Sequence, residues 1–198
     1  MQQRDPIQTA KLVASLDQVS NGRFLFGVGG GWNQDEMEDH GTVFETRFKL
    51  MRERIEAMKE IWTKPKAEYH GDMVDFPEMM TWPKPVQKPY PPILVGGAFP
   101  QAARRAIRYG DGRCPLGDRP GSSPLDVREK YRQMARDAGR DPETLPVTLF
   151  NPAEDAGELA RYRDMGIARV VVMLLSETSD KILPILDRWA ELIGRTNH

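Results

Sequence analysis

Short apolar runs alternate with amphipathic segments along this chain, and that alternation restricts its fold more than any other feature. Residues 24–28, 93–95, 113–116, 147–150 and 170–175 read as strands, and each is followed by a helical pattern. Such alternation gives βαβ units on a parallel sheet. A first helix is expected over 7–19, with Leu12, Leu16 and Val19 on one face and Asn21-Gly22 as its stop. The strand at 24–28 is apolar on both faces, as buried parallel strands are. The strongest helical stripe is Phe44, Phe48, Met51, Ile55, Met58 and Trp62, with Thr42 and Glu45 as a capping box and Pro65 as the terminator. Residues 67–92 read as irregular: Tyr69-His70-Gly71-Asp72 fits a small hairpin, and five later prolines impose an extended, rigid connection.

Further helices are expected over 100–109, over 124–138 with Ser123 as N-cap and Gly139 just beyond, and up to Gly166. A last helix carries Ile182, Leu186, Trp189 and Ile193 and stops at Gly194. Five strands and about six helices make an α/β fold. At 198 residues the chain is shorter than the roughly 250 residues of a complete (β/α)8 barrel.

Composition narrows the partners. Lys plus Arg number 28 against 29 for Asp plus Glu, a formal net charge of -1, so neither nucleic acid nor a membrane surface is an expected partner. The single cysteine, Cys114, excludes an internal disulfide and suits a reducing cytosol. There is no apolar run near the ~20 residues of a membrane span and no basic-then-apolar leader. A soluble, cytoplasmic protein is expected.

Glycine marks two candidate sites at strand ends. Gly27-Val28-Gly29-Gly30-Gly31-Trp32 follows the first strand, where backbone without side chains can approach a flat ring or a phosphate. A plain tight turn explains the run equally well. The dinucleotide fingerprint is disfavoured, since GxGxxG spacing into a helix and an acidic strand end are both missing. Gly96-Gly97 precedes a helix, so free N–H groups and the positive helix end suit an anion, although paired glycines are common in bare βα turns. Arg47, one turn into its helix, has the reach for a phosphate but reads as readily as a solvated arginine. Asp35, Glu36, Glu38 and Asp39 fit the solvated side of a short helix. His40 and His70 lack partners at ligand spacing, so no metal site is expected. Cys114 reads as a packed thiol.

Taken together, several segments resemble the bacterial-luciferase-like monooxygenases, most of all the branch using coenzyme F420. They are Asp5-Pro6, Ala10-Lys11, Leu16-Asp17, Ser20-Asn21-Gly22-Arg23-Phe24 and the Gly27 to Trp32 run. The resemblance continues through Phe44-Glu45-Thr46-Arg47, Ile61-Trp62-Thr63, Tyr69-His70-Gly71, Pro83-Lys84-Pro85-Val86-Gln87 and Pro91-Pro92-Ile93-Leu94-Val95-Gly96-Gly97, and ends with Arg105 and Gly110-Asp111-Gly112. It covers about the first 115 residues closely and the rest by element order.

The resemblance implies a partial (β/α)8 TIM barrel, roughly strands 4 to 8 with their helices. It treats 1–198 as a single domain lacking the N-terminal part, three βα units in the family, and 66–92 as an insertion or lid near the substrate pocket. It also implies a cofactor, F420 or alternatively FMN. Gly29, Gly30, Gly31 and Trp32 would lie beside the ring, and Arg47, Gly96, Gly97, Ala98 and Gln101 around the phosphate. The family's acid and base residues lie in the absent units, so no catalytic residue is assigned. Where the family usually has Trp after Asp-Gly, this chain has Arg113. The expected activity is hydride or electron transfer with a small organic substrate, by an oxidoreductase or monooxygenase. The alternative is a non-catalytic cofactor-binding or interaction protein of the same descent. Five strands leave open sheet edges, so a homodimer or higher homo-oligomer is expected.

Overall fold

In the computed structural model, residues 1–115 and 126–196 are described. They form two compact units, one of residues 1–97 and 108–111 and the other of 98–107 and 112–198.

Unit 1 is built on one helix pair. Helix α1 (Pro6–Val19) starts on Asp5, whose carboxylate accepts from the Gln8 N–H, and has Pro at its first position. Its buried residues are Pro6, Thr9, Ala10, Val13, Ala14 and Asp17. Leu12, Leu16 and Val19 are instead 57%, 51% and 88% exposed, so the face they share is the outer one. The reason is close approach. Small side chains let the backbone come near enough for Trp62 Nε1–H to donate to the Ala10 carbonyl at 2.9 Å. The partner is α3 (Arg47–Thr63), whose Met51, Ile55, Met58 and Trp62 are buried as the stripe requires.

The helix does not begin with a capping box. A 3-10 turn, Phe44–Thr46, leads into it without a side-chain cap. Thr42 is buried, and its hydroxyl donates to the Gln2 carbonyl at 2.7 Å, a use that removes it from capping. At the other end Lys64 is extended ahead of Pro65.

Strand β1 (Phe26–Val28) pairs in parallel with a strand of residues 93–96, in the register Phe26↔Ile93, Gly27↔Leu94 and Val28↔Val95. Between them lie α2 (Gln34–Asp39) and a hairpin of β2 (Lys66–His70) and β3 (Asp75–Met80). The hairpin is longer than the expected small turn. Its tip lies against α3, where Glu53 Oε2 accepts from the N–H groups of Met73 (2.7 Å) and Val74 (3.2 Å). The tip also ion-pairs Asp72 with Lys49 at 2.5 Å.

The proline-rich part is tied elsewhere. Asp17 accepts from Gln87 N–H and Nε2 at 2.9 and 2.7 Å, and Gln87 Nε2 also donates to the Phe24 carbonyl. Lys84 Nζ donates to the carbonyls of Ile61 and Lys64, which the end of α3 leaves free. These ties set residues 81–92 beside the amino ends of the parallel strands.

The parallel partner is β4 (Ile93–Gly96). Asp111, at the end of unit 1, exchanges two hydrogen bonds with Ile93 through its N–H and its carboxylate.

Unit 2 contains the start of α4 (Gln101–Tyr109), β5 (Gly112–Cys114), α5 (Arg128–Asp137), β6 (Thr148–Phe150), α6 (Ala156–Asp164), β7 (Arg169–Val171) and α7 (Ser179–Thr196). β6 and β7 pair in parallel, Leu149 opposite Val170. Ala103, Ile107, Tyr131, Ala135 and Leu145 form one core cluster, and Leu149, Leu159, Tyr162 and Trp189 another. Helix α7 continues through Gly194 to Thr196 and carries Pro184 inside it. Leu186 and Ile193 are largely exposed while Trp189 is buried. Gly139 and Gly166 have positive φ just past α5 and α6. Leu116, Ser123 and Pro124 lie outside the described residues. With the hairpin there are seven described strands, against the five expected.

Asp17 has no exposed surface, so removing its carboxylate strands two donors. Asp17→Ala is expected to cost roughly 2–4 kcal/mol and Asp17→Asn about half of that. The shift of the urea unfolding midpoint measures both.

Candidate functional site

Because β1 and β4 run parallel in matched register, their carboxyl ends emerge at one edge of the sheet. Gly29, Gly30, Gly31 and Trp32 continue from β1, and Gly96 and Gly97 end β4. The carboxyl edge of a parallel sheet is where α/β proteins bind ligands.

The glycines do different things there. A Cβ on Gly30 would overlap the Phe48 ring, and one on Gly31 would overlap Met37 Cε at a backbone φ of +68°. Those two are glycine because of internal packing. At Gly27 and Gly29 a Cβ would meet nothing within 4 Å, and both residues are exposed. They leave bare backbone against open space, which suits the face of a flat ring. Gly97 has φ +121°, a conformation glycine tolerates. Trp32 is 86% exposed.

Arg47 stands at the start of α3. Its guanidinium carbon lies 3.6 Å from the Phe44 ring centroid and 4.5 Å from that of Phe48, and Nη1 donates to the Phe44 carbonyl at 2.7 Å. Nε is buried without a hydrogen-bond partner among the described residues. The aromatic stack orients the group, while an unpaired N–H leaves capacity for an oxyanion.

Gln2 joins these parts, a role nothing in the local sequence pattern signals. Its Nε2 donates to the Gly30 carbonyl (3.2 Å) and the Arg47 carbonyl (3.3 Å). Arg54 Nη1 in turn donates to the carbonyls of Met1 and Gln2 at 2.8 and 2.5 Å. The structure therefore brings Gly29 to Trp32 and Arg47 together in unit 1, with Gly96 and Gly97 on the same strand edge. Ala98 and Gln101 belong to unit 2, where the Ala102 N–H donates to the Ala98 carbonyl in the first turn of α4.

Other candidates stay apart. His70 is exposed and hydrogen-bonds Asp75 at 2.7 Å, an acceptor that raises its pKa. His40 is exposed on the end of α2. Among the described residues no group of three or more His, Cys, Asp or Glu side chains is placed to hold a metal. Burial pushes the Cys114 thiol above its ordinary pKa, which favours the protonated form. No described helix is long and apolar enough to cross a membrane.

The model of the family described as luciferase-like monooxygenase matches residues 2–154. Uncharacterized protein Rv0953c of Mycobacterium tuberculosis is 37% identical over 191 residues, 95% of this chain and 66% of that protein. An FMNH2-dependent dimethylsulfone monooxygenase of Pseudomonas putida is 35% identical over 109 residues, 54% of this chain and 30% of that enzyme. An F420-dependent glucose-6-phosphate dehydrogenase of Amycolatopsis mediterranei is 32% identical over 111 residues, 54% of this chain and 33% of that enzyme. The chain thus spans 66% of the first relative and about a third of the other two. The crystal structure of the monooxygenase RslO1 from Streptomyces bottropensis superposes with a TM-score of 0.61 at 25% identity, covering 97% of this chain and 58% of that one.

The two kinds of glycine separate in a stability measurement. Gly30→Ala is expected to destabilise by about 1–3 kcal/mol, the cost of forcing atoms into a filled space, and to lose less when Phe48 is also changed to Leu. Gly29→Ala is expected to stay within about 0.5 kcal/mol of the parent, as surface changes do. Thermal unfolding of the three variants checks the order.

Proposed function

The chain belongs to the luciferase-like monooxygenase family, and we propose that it serves as a flavin- or deazaflavin-dependent oxidoreductase acting on a small organic substrate. The observation that carries this reading is the open, side-chain-free backbone at Gly27 and Gly29 with a half-satisfied arginine on the same loop cluster. Relatives at both ends of the cofactor range, FMNH2-dependent and F420-dependent, support a tricyclic ring in general. We propose F420 as the cofactor, with FMN as the alternative. When bound, such a ring supplies the hydride or electron transfer itself.

The protein's part is binding and orientation. Gly29 to Gly31 offer backbone to one face of the ring, and Trp32 offers an apolar flank beside it. Arg47, Gly96 and Gly97 are proposed to hold the phosphate. Arg47 would donate its Nε–H, and backbone N–H groups at the end of β4 would donate to the remaining oxygens. The sheet is proposed to correspond to strands 4 to 8 of a (β/α)8 barrel. Self-association as a homodimer is proposed as well, supported by the exposed stripe of Leu12, Leu16 and Val19. A single sedimenting species at monomer mass across low micromolar concentrations would count against it.

Titration of F420 and of FMN into the chain, with a turnover assay on the complex, tests the proposal. Arg47→Ala is expected to weaken cofactor binding by about 1.5–3 kcal/mol, roughly 10- to 150-fold. A change of less than twofold in isothermal titration would remove Arg47 from the site. Binding without turnover would favour a non-catalytic cofactor-binding protein.

A further inference from the structure

Arg113 lies in unit 2 and is 1% exposed. Its root is fixed by β5, since its N–H donates to the Pro146 carbonyl at 2.9 Å and it bridges Val147 in parallel. The guanidinium carbon is 5.5 Å from the Phe99 ring centroid and 5.7 Å from that of Tyr131. Both rings pack with Ala103, Ile107, Ala135 and Leu145. A permanent cation is therefore held inside an apolar cluster.

The surroundings described do not repay that burial. Taking a charged group out of water is expensive, and aromatic faces return only part of it. Burial lowers the pKa of Arg113, and among the described residues the groups opposing that effect are Tyr131 and Cys114, both neutral at pH 7 rather than carboxylates. Arg113 Nε has no hydrogen-bond partner among the described residues, and neither does the buried Tyr131 hydroxyl. Burial also pushes the Tyr131 pKa up to about 12, so its O–H remains a donor. Two adjacent groups with donors to spare and one uncompensated positive charge ask for the same complement, an oxygen-rich anion.

We propose that Arg113 and Tyr131 form an oxyanion site of unit 2 that takes a phosphate group. The guanidinium supplies the charge and the Nε–H, Tyr131 supplies its O–H, and the Phe99 and Tyr131 rings pack near the guanidinium carbon. The phosphate comes either from a phosphorylated small molecule or from the cofactor. The site itself does not depend on the cofactor reading, because it uses none of the unit 1 residues.

Isothermal titration of the full chain with inorganic phosphate, paired with thermal unfolding in phosphate and in chloride, tests the site. The parent is expected to bind phosphate and to unfold at a higher temperature in it. Arg113→Met should lose at least tenfold in affinity and the phosphate-dependent rise, and Arg113→Lys should keep part of both. Tyr131→Phe, which retains the ring, should lose severalfold. No phosphate binding by the parent, or affinity unchanged in Tyr131→Phe and Arg113→Met, overturns the proposal. Should Arg113→Met fail to fold, Tyr131→Phe and Arg113→Lys decide on the same criterion. A fall in affinity for FMN but not for riboflavin in Arg113→Lys identifies the cofactor phosphate as the occupant. Equal affinity of that variant for FMN, with weakened inorganic phosphate, identifies a separate phosphorylated ligand.

Discussion

The buried carboxylate of Asp17 is the interaction on which the architecture of unit 1 depends. A charge with no exposed surface is tolerable only when hydrogen bonds replace its water, and Gln87 supplies two of them. Gln87 then reaches the Phe24 carbonyl just ahead of β1. One side chain on α1 thereby fixes the proline-rich connection, and the connection fixes where β1 and β4 begin. Glu53 does the same for the hairpin, against which a side chain on Gly71 would collide. Long excursions from a βα pattern stay ordered here because buried acceptors on helices capture their backbone.

The opposite edge of the strands is organised differently. Phe48 fills the space over Gly30, Met37 fills the space beside Gly31, and Gln2 bridges the Gly30 and Arg47 carbonyls. These contacts shape the loop from behind and leave Gly27 and Gly29 bare in front. Arg47 is correspondingly divided, one nitrogen spent on the Phe44 carbonyl and another without a partner among the described residues.

The α3 stripe, Lys64 before Pro65 and the glycines after α5 and α6 were legible in the sequence, because each is a local pattern with a local cause. The face of α1 was not. Hydropathy weights Leu12, Leu16 and Val19 most heavily, yet close packing selects the small residues Ala10 and Ala14. Thr42 and Glu45 have capping spacing, but the Thr42 hydroxyl is committed to Gln2, 40 residues away. The glycine runs mark the strand ends where the site is proposed, whereas the bridge made by Gln2 and the packing of Phe48 over Gly30 had no signal, since both act across chain separations no periodicity records. Arg113 was visible only as a departure from a resemblance; its burial among aromatic rings emerged from the fold.

The two ends of the parallel strand pair thus divide labour. Residues 81–92 are fastened at the amino end, and the glycine loops open at the carboxyl end, with the buried pair Val28 and Val95 between. A change of ligand preference at one end therefore leaves the fasteners at the other untouched. For anyone redesigning this scaffold, new specificities can be installed along the carboxyl rim as separate modules, and robustness can be raised at the amino rim without reopening the choice of ligand.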